Sequence, residues 1–348
     1  MSILEKIKKN SSIKESAILS KSKFFTDKDM IPTAVPAINI ALSGRLDGGL
    51  TPGLTMWAGP SKHFKTAFSL LMAKSYMEKY EDAALLFYDS EFGTPQSYFK
   101  TFNIDTDRAL HTPITDIEQL KFDIMNQLQN LERGEHLIIV IDSIGNLASK
   151  KEVEDALEQK SVADMSRAKQ IKSLFRMVTP HLTMKDIPMI VVNHTYKEIG
   201  MFPKDIVGGG TGSYYSADNI FIIGRQQEKE GTEIVGYNFI INVEKSRYVK
   251  EKSKIPVTVS FDGGISKWSG LLDLALESGH VIKPSNGWYS KVDIETGEVS
   301  EQKFREKDTN TKEFWLPILK TDSFQNFIKG KYQVATGDIM REEEYEEV

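Results

Sequence analysis

The 348-residue sequence contains no cysteine and no long hydrophobic run. Without cysteine the chain can form neither disulfides nor thiolate metal sites, and its six scattered histidines do not favour a histidine-built metal site. No stretch approaches the roughly 20 apolar residues that cross a bilayer. The first 16 residues also lack the apolar core of a signal peptide. We therefore expect a cytoplasmic protein with no membrane partner.

Negative charge is in excess only at the end of the chain. The formal net charge is −5, and residues 338–348 (DIMREEEYEEV) hold six acids against one base, which accounts for all of it. The rest of the chain is balanced, with modest basic patches in residues 1–30 and 241–254 that could equally be solvated surface. The acidic composition therefore does not exclude a nucleic-acid partner.

Short apolar runs indicate the fold class. They cover residues 54–58, 84–88, 137–141, 189–192 and 220–223, and helical patterns separate the first four. Continuous runs of this length are typical of parallel strands covered on both faces. Two later strand patterns, 239–243 and 255–259, are joined by turns and predict an antiparallel edge extension. The sequence thus predicts an α/β protein with a mostly parallel sheet covered by helices.

The same patterns suggest four parts. Residues 1–33 form an N-terminal arm too small to bury its own apolar residues, which we expect to dock on another subunit. Residues 34–268 form the core, residues 269–337 a small C-terminal α/β subdomain, and residues 338–348 an acidic tail.

A candidate phosphate loop comes directly after the first apolar run. Its template is G-x-x-x-x-G-K-[ST], in which backbone N–H groups and the Lys bind phosphates and the hydroxyl binds Mg²⁺. Phe64 stands where the template has its second Gly, a position at which a Cβ is usually penalised. The residues of this candidate nucleotide site are Gly59, Pro60, Ser61, Lys62, His63, Phe64, Lys65 and Thr66.

Polar residues lie at the ends of the other strands. Asp142 ends the third apolar run, where P-loop NTPases place a carboxylate that holds Mg²⁺ together with the loop hydroxyl. Glu91 and His194 come after the second and fourth runs, and Glu91 could orient or deprotonate an attacking water. Any strand can end in a polar residue. Several converging on one carboxyl edge favour a ligand site there.

Taken in order, the segments GPSKHFKT, YDSEFG, LIIVIDSIGNLASKKE, IVVNHTY, GGGTG and SGLLDLALESGHVIKPSNGWYS resemble the RecA-class recombinases, and among them those of T-even phages. The similarity runs from about residue 22 to 335. It implies a RecA-like P-loop ATPase core. The phage members also carry Phe in the loop, which makes Phe64 a subfamily trait.

The resemblance implies a role for each site residue. Lys65 and Thr66 would bind the β/γ-phosphates of ATP and Mg²⁺, with Asp142 behind the metal. Glu91 would activate water, and His194 would sense the γ-phosphate. Tyr98 would stack on adenine, its alternative being a half-buried helix tyrosine.

Lys245 and Arg247 match the basic pair that reaches the nucleotide across a subunit interface in RecA filaments. Such a pair would make hydrolysis depend on assembly. The alternative is a surface salt bridge with Glu244 or Glu251.

Two loops, about 148–163 and 195–212, match the family's DNA-binding loops. Cationic groups supply affinity for a strand, while apolar side chains contact bases without reading sequence. The alternative is a mobile loop beside a solvated helix face. The candidate DNA-binding residues are Lys169, Lys172, Arg176, Lys197, Ile199, Met201, Phe202, Lys204, Gly208 and Gly209.

The function implied by the resemblance is that of an ATP-dependent homologous recombinase and DNA-dependent ATPase. It would form helical filaments on single-stranded DNA, exchange strands with homologous double-stranded DNA in recombination, repair and recombination-dependent replication, and work with single-strand-binding and mediator proteins. A ring helicase of the same core class and a non-catalytic paralogue are the alternatives. The intact Lys65, Thr66, Glu91 and Asp142 argue against the paralogue.

We predict that the acidic tail competes with DNA for the basic loops. Deleting residues 338–348 should tighten binding of a single-stranded oligonucleotide roughly fivefold at low salt and less at high salt, because screening weakens the competing charges. Fluorescence anisotropy across a salt series measures this. Changing the five tail glutamates to Gln should have the same effect, and unchanged affinity in both variants would refute the prediction. These glutamates are Glu342, Glu343, Glu344, Glu346 and Glu347.

Overall fold

The computed structural model describes residues 2–24, 28–158, 166–198, 200 and 203–334, with the backbone alone for Thr211. These residues divide into two compact units. The first is drawn from Met1–Ile31, Thr51–Ala58 and Lys65–Ala217, and the second from Pro32–Leu50, Gly59–Phe64 and Asp218–Val348. The candidate residues Ile199, Met201 and Phe202, the end of the first predicted DNA loop and the acidic tail lie outside the described residues.

The helices and strands alternate through the first half of the chain. The helices are α1 (Ile3–Asn10), α2 (Pro36–Ser43), α3 (Lys65–Lys79), α4 (Gln96–Thr101), α5 (Ile117–Asn130), α6 (Lys150–Leu157), α7 (Ser166–Lys185), α8 (Thr211–Ser216), α9 (Leu271–Glu277), α10 (Lys312–Leu319) and α11 (Asp322–Tyr332). The strands are β1 (Gly53–Ala58), β2 (Ala84–Asp89), β3 (Ala109–Pro113), β4 (Leu137–Asp142), β5 (Pro188–Asn193), β6 (Thr195–Lys197), β7 (Asp205–Val207), β8 (Asn219–Glu230), β9 (Glu233–Ser246), β10 (Lys254–Ser260), β11 (Gly264–Ile265), β12 (Val281–Ser285) and β13 (Trp288–Lys291). Short 3₁₀ turns cover Leu19–Lys21, Thr106–Arg108 and Lys307–Thr309.

Five parallel strands form the sheet of the first unit, in the order β1-β5-β4-β2-β3. Every residue of β1, β4 and β5 is buried, as the continuous apolar runs predicted. Strand β3 was not predicted, because its sequence ALHTP has no apolar run and lies mostly exposed. A strand covered on one side only has no need of a continuous apolar sequence.

Helices α3, α5 and α7 supply apolar faces to this unit. Phe68 on α3 and Phe175 on α7 are fully buried, and each such side chain contributes about 1.5–3 kcal/mol of transfer free energy. The Arg108 guanidinium donates to the carbonyl of Met77, in the last turn of α3, and to those of Tyr80, Glu81 and Ala83, which follow the helix. The Met77 carbonyl is one that a helix end leaves without an intrahelical partner.

The second unit contains the antiparallel strands that the sequence predicted. Strands β8 and β9 pair as a long hairpin, followed by β10 and β11. Both hairpin strands extend well beyond the predicted runs 220–223 and 239–243. The outer half of β8 is exposed and polar, so hydrophobicity revealed only its buried half.

The C-terminal part of the second unit packs α9, α10, α11 and the β12–β13 hairpin around aromatic side chains. Phe314, Trp315 and Phe324 are each at most 1% exposed, and the Phe314 and Trp315 rings meet edge to face. No helix in the described part of the chain combines the length and apolar composition needed to cross a membrane.

Candidate functional site

Parallel register brings three polar strand ends to the same edge of the sheet. Asp89 of β2 lies opposite Asp142 of β4, and Asn193 ends β5, which lies beside β4. All three side chains are buried. Carboxyl ends of parallel strands are the usual ligand position in open α/β sheets.

Asp142 is a buried carboxylate joined to the start of α3. Thr66 Oγ1 donates a 2.7 Å hydrogen bond to Asp142 Oδ2, and Asp142 is 2% exposed. Burial, with Glu91 and Asp89 adding to it, raises the pKa of Asp142 to about 6, although the Thr66 hydrogen bond and the Lys65 charge oppose the shift. The peptide bond between Asp142 and Ser143 is cis.

The second Asp142 oxygen fits a magnesium site. Oδ1 is buried and has no hydrogen-bond partner among the described residues, while a hydroxyl and an ammonium lie close by. Such an orphaned anionic oxygen suits a hard divalent cation. Over the described residues no group of three or more His, Asp or Glu side chains could hold a metal ion. Magnesium is usually held by one or two carboxylates with waters and substrate phosphates. A single unpartnered carboxylate oxygen without a cluster of ligands around it is therefore compatible with a magnesium site.

Lys65 is the cation of this cluster. It begins α3 and is 6% exposed. Burial lowers the pKa of Lys65, and the charges of Glu91 and Asp142 oppose that shift. A buried ammonium near two carboxylates is suited to a polyanionic ligand.

Glu91 is fixed by two donors on one oxygen. Ser143 Oγ donates to Glu91 Oε1 over 2.6 Å, and His194 Nε2 lies 3.0 Å from the same oxygen. The hydrogen bond with His194 is the main cause that lowers the pKa of Glu91, against the opposing effect of burial. Glu91 therefore stays ionised at neutral pH.

The turn that carries Glu91 is held by Asp89, a residue for which no role was predicted from the sequence. Asp89 Oδ1 accepts the backbone N–H groups of Glu91 at 3.0 Å and Phe92 at 2.8 Å. His111 Nε2 lies 3.2 Å from its other oxygen. Asp89 ends β2 and Ser143 follows β4, and both lie in segments that carry the family resemblance. This position at a strand end is the sequence feature from which their roles could have been predicted.

His194 lies between Glu91 and the predicted second DNA loop. A Cβ on Gly145 would fall 2.4 Å from His194 Cδ2, so only glycine permits this contact. On the other side, the Gly208 N–H donates to the His194 carbonyl over 2.9 Å, and Asn193 Nδ2 donates to the Gly208 carbonyl over 2.8 Å. The residue that carries the imidazole is therefore connected to the glycine loop through its backbone carbonyl.

Tyr98 lies on α4 and is half-buried, with its ring edge-on to Phe102 at 5.3 Å. Burial and the nearby Asp142 charge raise the pKa of Tyr98. The ring is thus within electrostatic reach of the site. Its predicted contact with adenine stays a prediction.

The loop 59–64 has the backbone of a glycine-containing loop although Phe occupies its last position. Phe64 has φ of 59° and Lys62 has φ of 61°, both in the left-handed region. The Phe64 ring stacks on Phe239 with centroids 5.1 Å apart, and His63 Nδ1 lies 2.8 Å from the Ser61 carbonyl oxygen. The ring contact offsets part of the roughly 1–2 kcal/mol that a Cβ costs in this region.

The basic pair lies at the end of β9. Arg247 Nε forms a 2.5 Å ion pair with Asp218 Oδ1, not with either glutamate considered from sequence, and its side chain is 67% exposed. Burial, followed by the neighbouring Arg247 charge, lowers the pKa of Lys245. A role for the pair across a subunit interface stays a prediction.

The candidate DNA-binding residues line one helix face and one hairpin. Lys169, Lys172 and Arg176 are exposed on α7. Strands β6 and β7 pair, and Lys197 forms a 2.9 Å ion pair with Asp205 across them.

Lys204 is exposed beside the β6–β7 hairpin, while Gly208 and Gly209 come after it. Gly209 has φ of 89° and approaches Ile171 of α7. The second predicted DNA loop therefore contains a short hairpin and returns to α7.

A phosphate-type loop followed by a helix, and carboxylates at the edge of a parallel sheet, are features of P-loop NTPases. The chain belongs to the RecA family, since the family model described as RecA N-terminal domain matches residues 1–266. The model for the C-terminal domain of the bacteriophage T4 recombination and repair protein matches residues 268–328. The predicted family and fold class are therefore confirmed.

Individual relatives agree with this assignment. The chain is 54% identical over 334 residues to the recombination and repair protein of Enterobacteria phage T4, covering 95% of this chain and 85% of that protein. It is 27% identical over 266 residues to Protein RecA of Streptomyces rimosus, covering 75% and 68%. Family membership supports nucleotide and magnesium use, DNA binding and filament formation in general terms, but it does not assign them to residues.

We predict that Asp142→Asn stabilises the protein in the absence of magnesium. Because the folded-state pKa is raised, ionising Asp142 costs free energy that grows as pH rises from about 4 to 6. Removing the charge should raise the free energy of unfolding by up to about 3 kcal/mol at pH 7 and by about 1 kcal/mol at pH 4.5. Denaturant unfolding with EDTA at both pH values measures this. A pH-independent difference would contradict it.

We predict that Phe64→Gly is about 1 kcal/mol more stable than Phe64→Ala, because glycine accepts a left-handed backbone and alanine keeps the Cβ without the ring. Urea unfolding of the two variants measures the difference. Phe122, which is 78% exposed on α5, is the control, and there the order should reverse because glycine disfavours a helix interior. Equal stabilities at residue 64 would refute the left-handed assignment.

Proposed function

We propose that this protein is an ATP-dependent homologous recombinase that forms helical filaments on single-stranded DNA. It would pair that strand with homologous double-stranded DNA in recombination, repair and recombination-dependent replication. The observation that carries the proposal is the connection from Asp142 and Ser143, through Glu91 and His194, to the Gly208 loop. Such a connection suits a protein whose nucleotide state and DNA contact depend on each other.

ATP is the proposed substrate, and the chain supplies its cations and its base. The loop 59–64 with Lys65 would bind the phosphates, and Thr66 with Asp142 would hold Mg²⁺, which neutralises charge on phosphate oxygens. Tyr98 would stack on adenine. The buried Lys65 supports this assignment because its positive charge is poorly hydrated and gains most from an anionic partner.

Glu91 would orient the attacking water. Both hydrogen bonds that it receives from described residues end on Oε1, which leaves Oε2 as the acceptor for water. A carboxylate with a lowered pKa is a weak base, so positioning the water is a better use of Glu91 than taking its proton. His194, which shares Glu91 Oε1, would exchange this hydrogen bond for one to the γ-phosphate.

Assembly would complete the site. Lys245 and Arg247 would reach the nucleotide of a neighbouring subunit, which requires Arg247 to exchange Asp218 for phosphate, and its large exposure supports this. Residues 1–33 would dock on the neighbour. Helix α1 has no buried residue, and Ile3 and Ile7 are 79% and 62% exposed, as expected of an arm that packs outside its own subunit.

DNA would bind the exposed α7 cations Lys169, Lys172 and Arg176 together with Lys197, Lys204 and the glycines at 208 and 209. We place the protein in the cytoplasm of a bacterial host, with single-strand-binding and mediator proteins as partners. The 54% identity to a phage recombination and repair protein supports this setting.

We predict that Lys65→Ala lowers single-stranded-DNA-dependent ATP hydrolysis by about 10²-fold or more and abolishes ATP-dependent strand exchange, because it removes the buried cation. Strand-pairing and ATPase assays, each with and without ATP or DNA, measure this. Lys74→Ala on the same helix, where Lys74 pairs with Glu78, should leave both activities intact.

Wild-type ATPase activity indifferent to single-stranded DNA, together with no strand exchange, would refute the proposed function. Closed hexamers instead of helical filaments in electron micrographs would favour the ring helicase.

A further inference from the structure

Arg167 occupies an unusual position at the start of α7. Its Nε donates to the Leu147 carbonyl at 2.8 Å, and its Nη2 donates to the carbonyls of Ile144 at 3.1 Å and Gly145 at 2.8 Å. It faces away from Lys169, Lys172 and Arg176, and lies one helical turn before the buried Ile171. A cation beside the candidate DNA face is thus directed into the protein.

The segment that Arg167 holds comes directly after Asp142 and Ser143. Residues 144–147 form neither helix nor strand, and Ile144 and Leu147 are buried. Three carbonyls in such a segment need donors from elsewhere. The planar guanidinium supplies several donors in fixed directions, which the single ammonium of lysine cannot reproduce.

Movement of residues 144–147 would affect the carboxylate of Glu91 through two contacts. Ser143 Oγ donates to Glu91 Oε1, and Gly145 contacts the His194 ring that shares the same oxygen. Residue 145 has no Cβ because the imidazole occupies that space. A shift of α7 that displaces the three carbonyls would therefore change how Glu91 is held.

We propose that Arg167 is a positioning residue that couples DNA bound on the outer face of α7 to the Glu91–His194 pair. This inference rests on the proposed function. It adds a second connection between bound DNA and the Glu91–His194 pair, which passes through residues 144–147 and not through the Gly208 loop. DNA would bind the cations on the outer face of α7 and shift the helix. Arg167, on the inner face, would transmit this shift to residues 144–147 through the three carbonyls to which it donates. Arg167 itself contacts neither DNA nor nucleotide in this scheme.

The test compares Arg167→Lys and Arg167→Gln with wild type in ATPase assays with saturating single-stranded DNA and without DNA. We expect the ratio of DNA-saturated to DNA-free kcat to fall roughly fivefold or more, the lower end of typical coupling between two sites, with KM for ATP nearly unchanged. Binding of a labelled oligonucleotide should stay within about twofold of wild type, with the same salt dependence.

Two control variants separate coupling from other roles. Lys169→Gln should weaken oligonucleotide binding and reduce the slope of log affinity against log salt by about 0.7. Arg108→Lys removes a guanidinium that donates to four carbonyls in and just after the last turn of α3, so it should destabilise the fold similarly without changing the kcat ratio.

The inference is overturned if Arg167→Lys keeps the wild-type kcat ratio, if Arg108→Lys lowers that ratio equally, or if the Arg167 variants lose DNA affinity as Lys169→Gln does. If neither Arg167 variant folds, amide hydrogen exchange of residues 143–148 in the wild type decides. A change on adding single-stranded DNA is expected, and no change refutes the coupling. Absence of any DNA stimulation in the wild type would overturn the proposed function as well.

Discussion

The burial of the Asp142 carboxylate is the constraint on which the candidate site depends. A charge taken out of water must be compensated, and Thr66 and the Lys65 ammonium compensate it only in part, since its pKa remains raised to about 6. The orphaned Oδ1 leaves this compensation incomplete. A bound cation would complete it, and the cost that the fold tolerates here would then be relieved. The start of α3 and the end of β4 are held together by the same interaction.

Among the described residues, three of the six non-glycine residues with positive φ lie in the loop before α3 or in the turn that carries Glu91. Phe64 and Lys62 adopt left-handed angles in the loop before α3, and Phe92 does so in the turn beside Glu91. Two of these conformations have a local interaction that offsets their cost, namely the Phe239 ring for Phe64 and the Asp89 carboxylate for Phe92. Such strain persists only where surrounding structure determines it, and it clusters at functional sites. A loop that departs from its sequence template can therefore keep the template's backbone.

Glu91 and His194 connect the charged edge of the sheet to the glycine loop beside α7. Glu91 Oε1 accepts hydrogen bonds from Ser143 Oγ and from the His194 imidazole. The His194 carbonyl in turn accepts a hydrogen bond from the Gly208 N–H. Glycine at residues 145 and 208 allows close approach on both sides of His194, and glycine at residue 209 does so at Ile171. Because these contacts are short, a change at one group would alter the position of its neighbours, which is the basis of the coupling proposed above.

The sequence by itself determined the parallel α/β core, the family, and the strand-end positions of Asp142, Glu91 and His194. Buried parallel strands require continuous apolar runs, and the polar residues after each run then lie at one edge of the sheet. The sequence did not reveal the exposed strand β3 or the outer half of β8, where hydrophobicity carries no signal. Only the tertiary structure decided that Asp89 holds the Glu91 turn, that Arg247 meets Asp218, and that Arg167 points inward. The contacts of Arg247 and Arg167 join residues that are distant in the chain, and their partners depend on packing that no local pattern encodes.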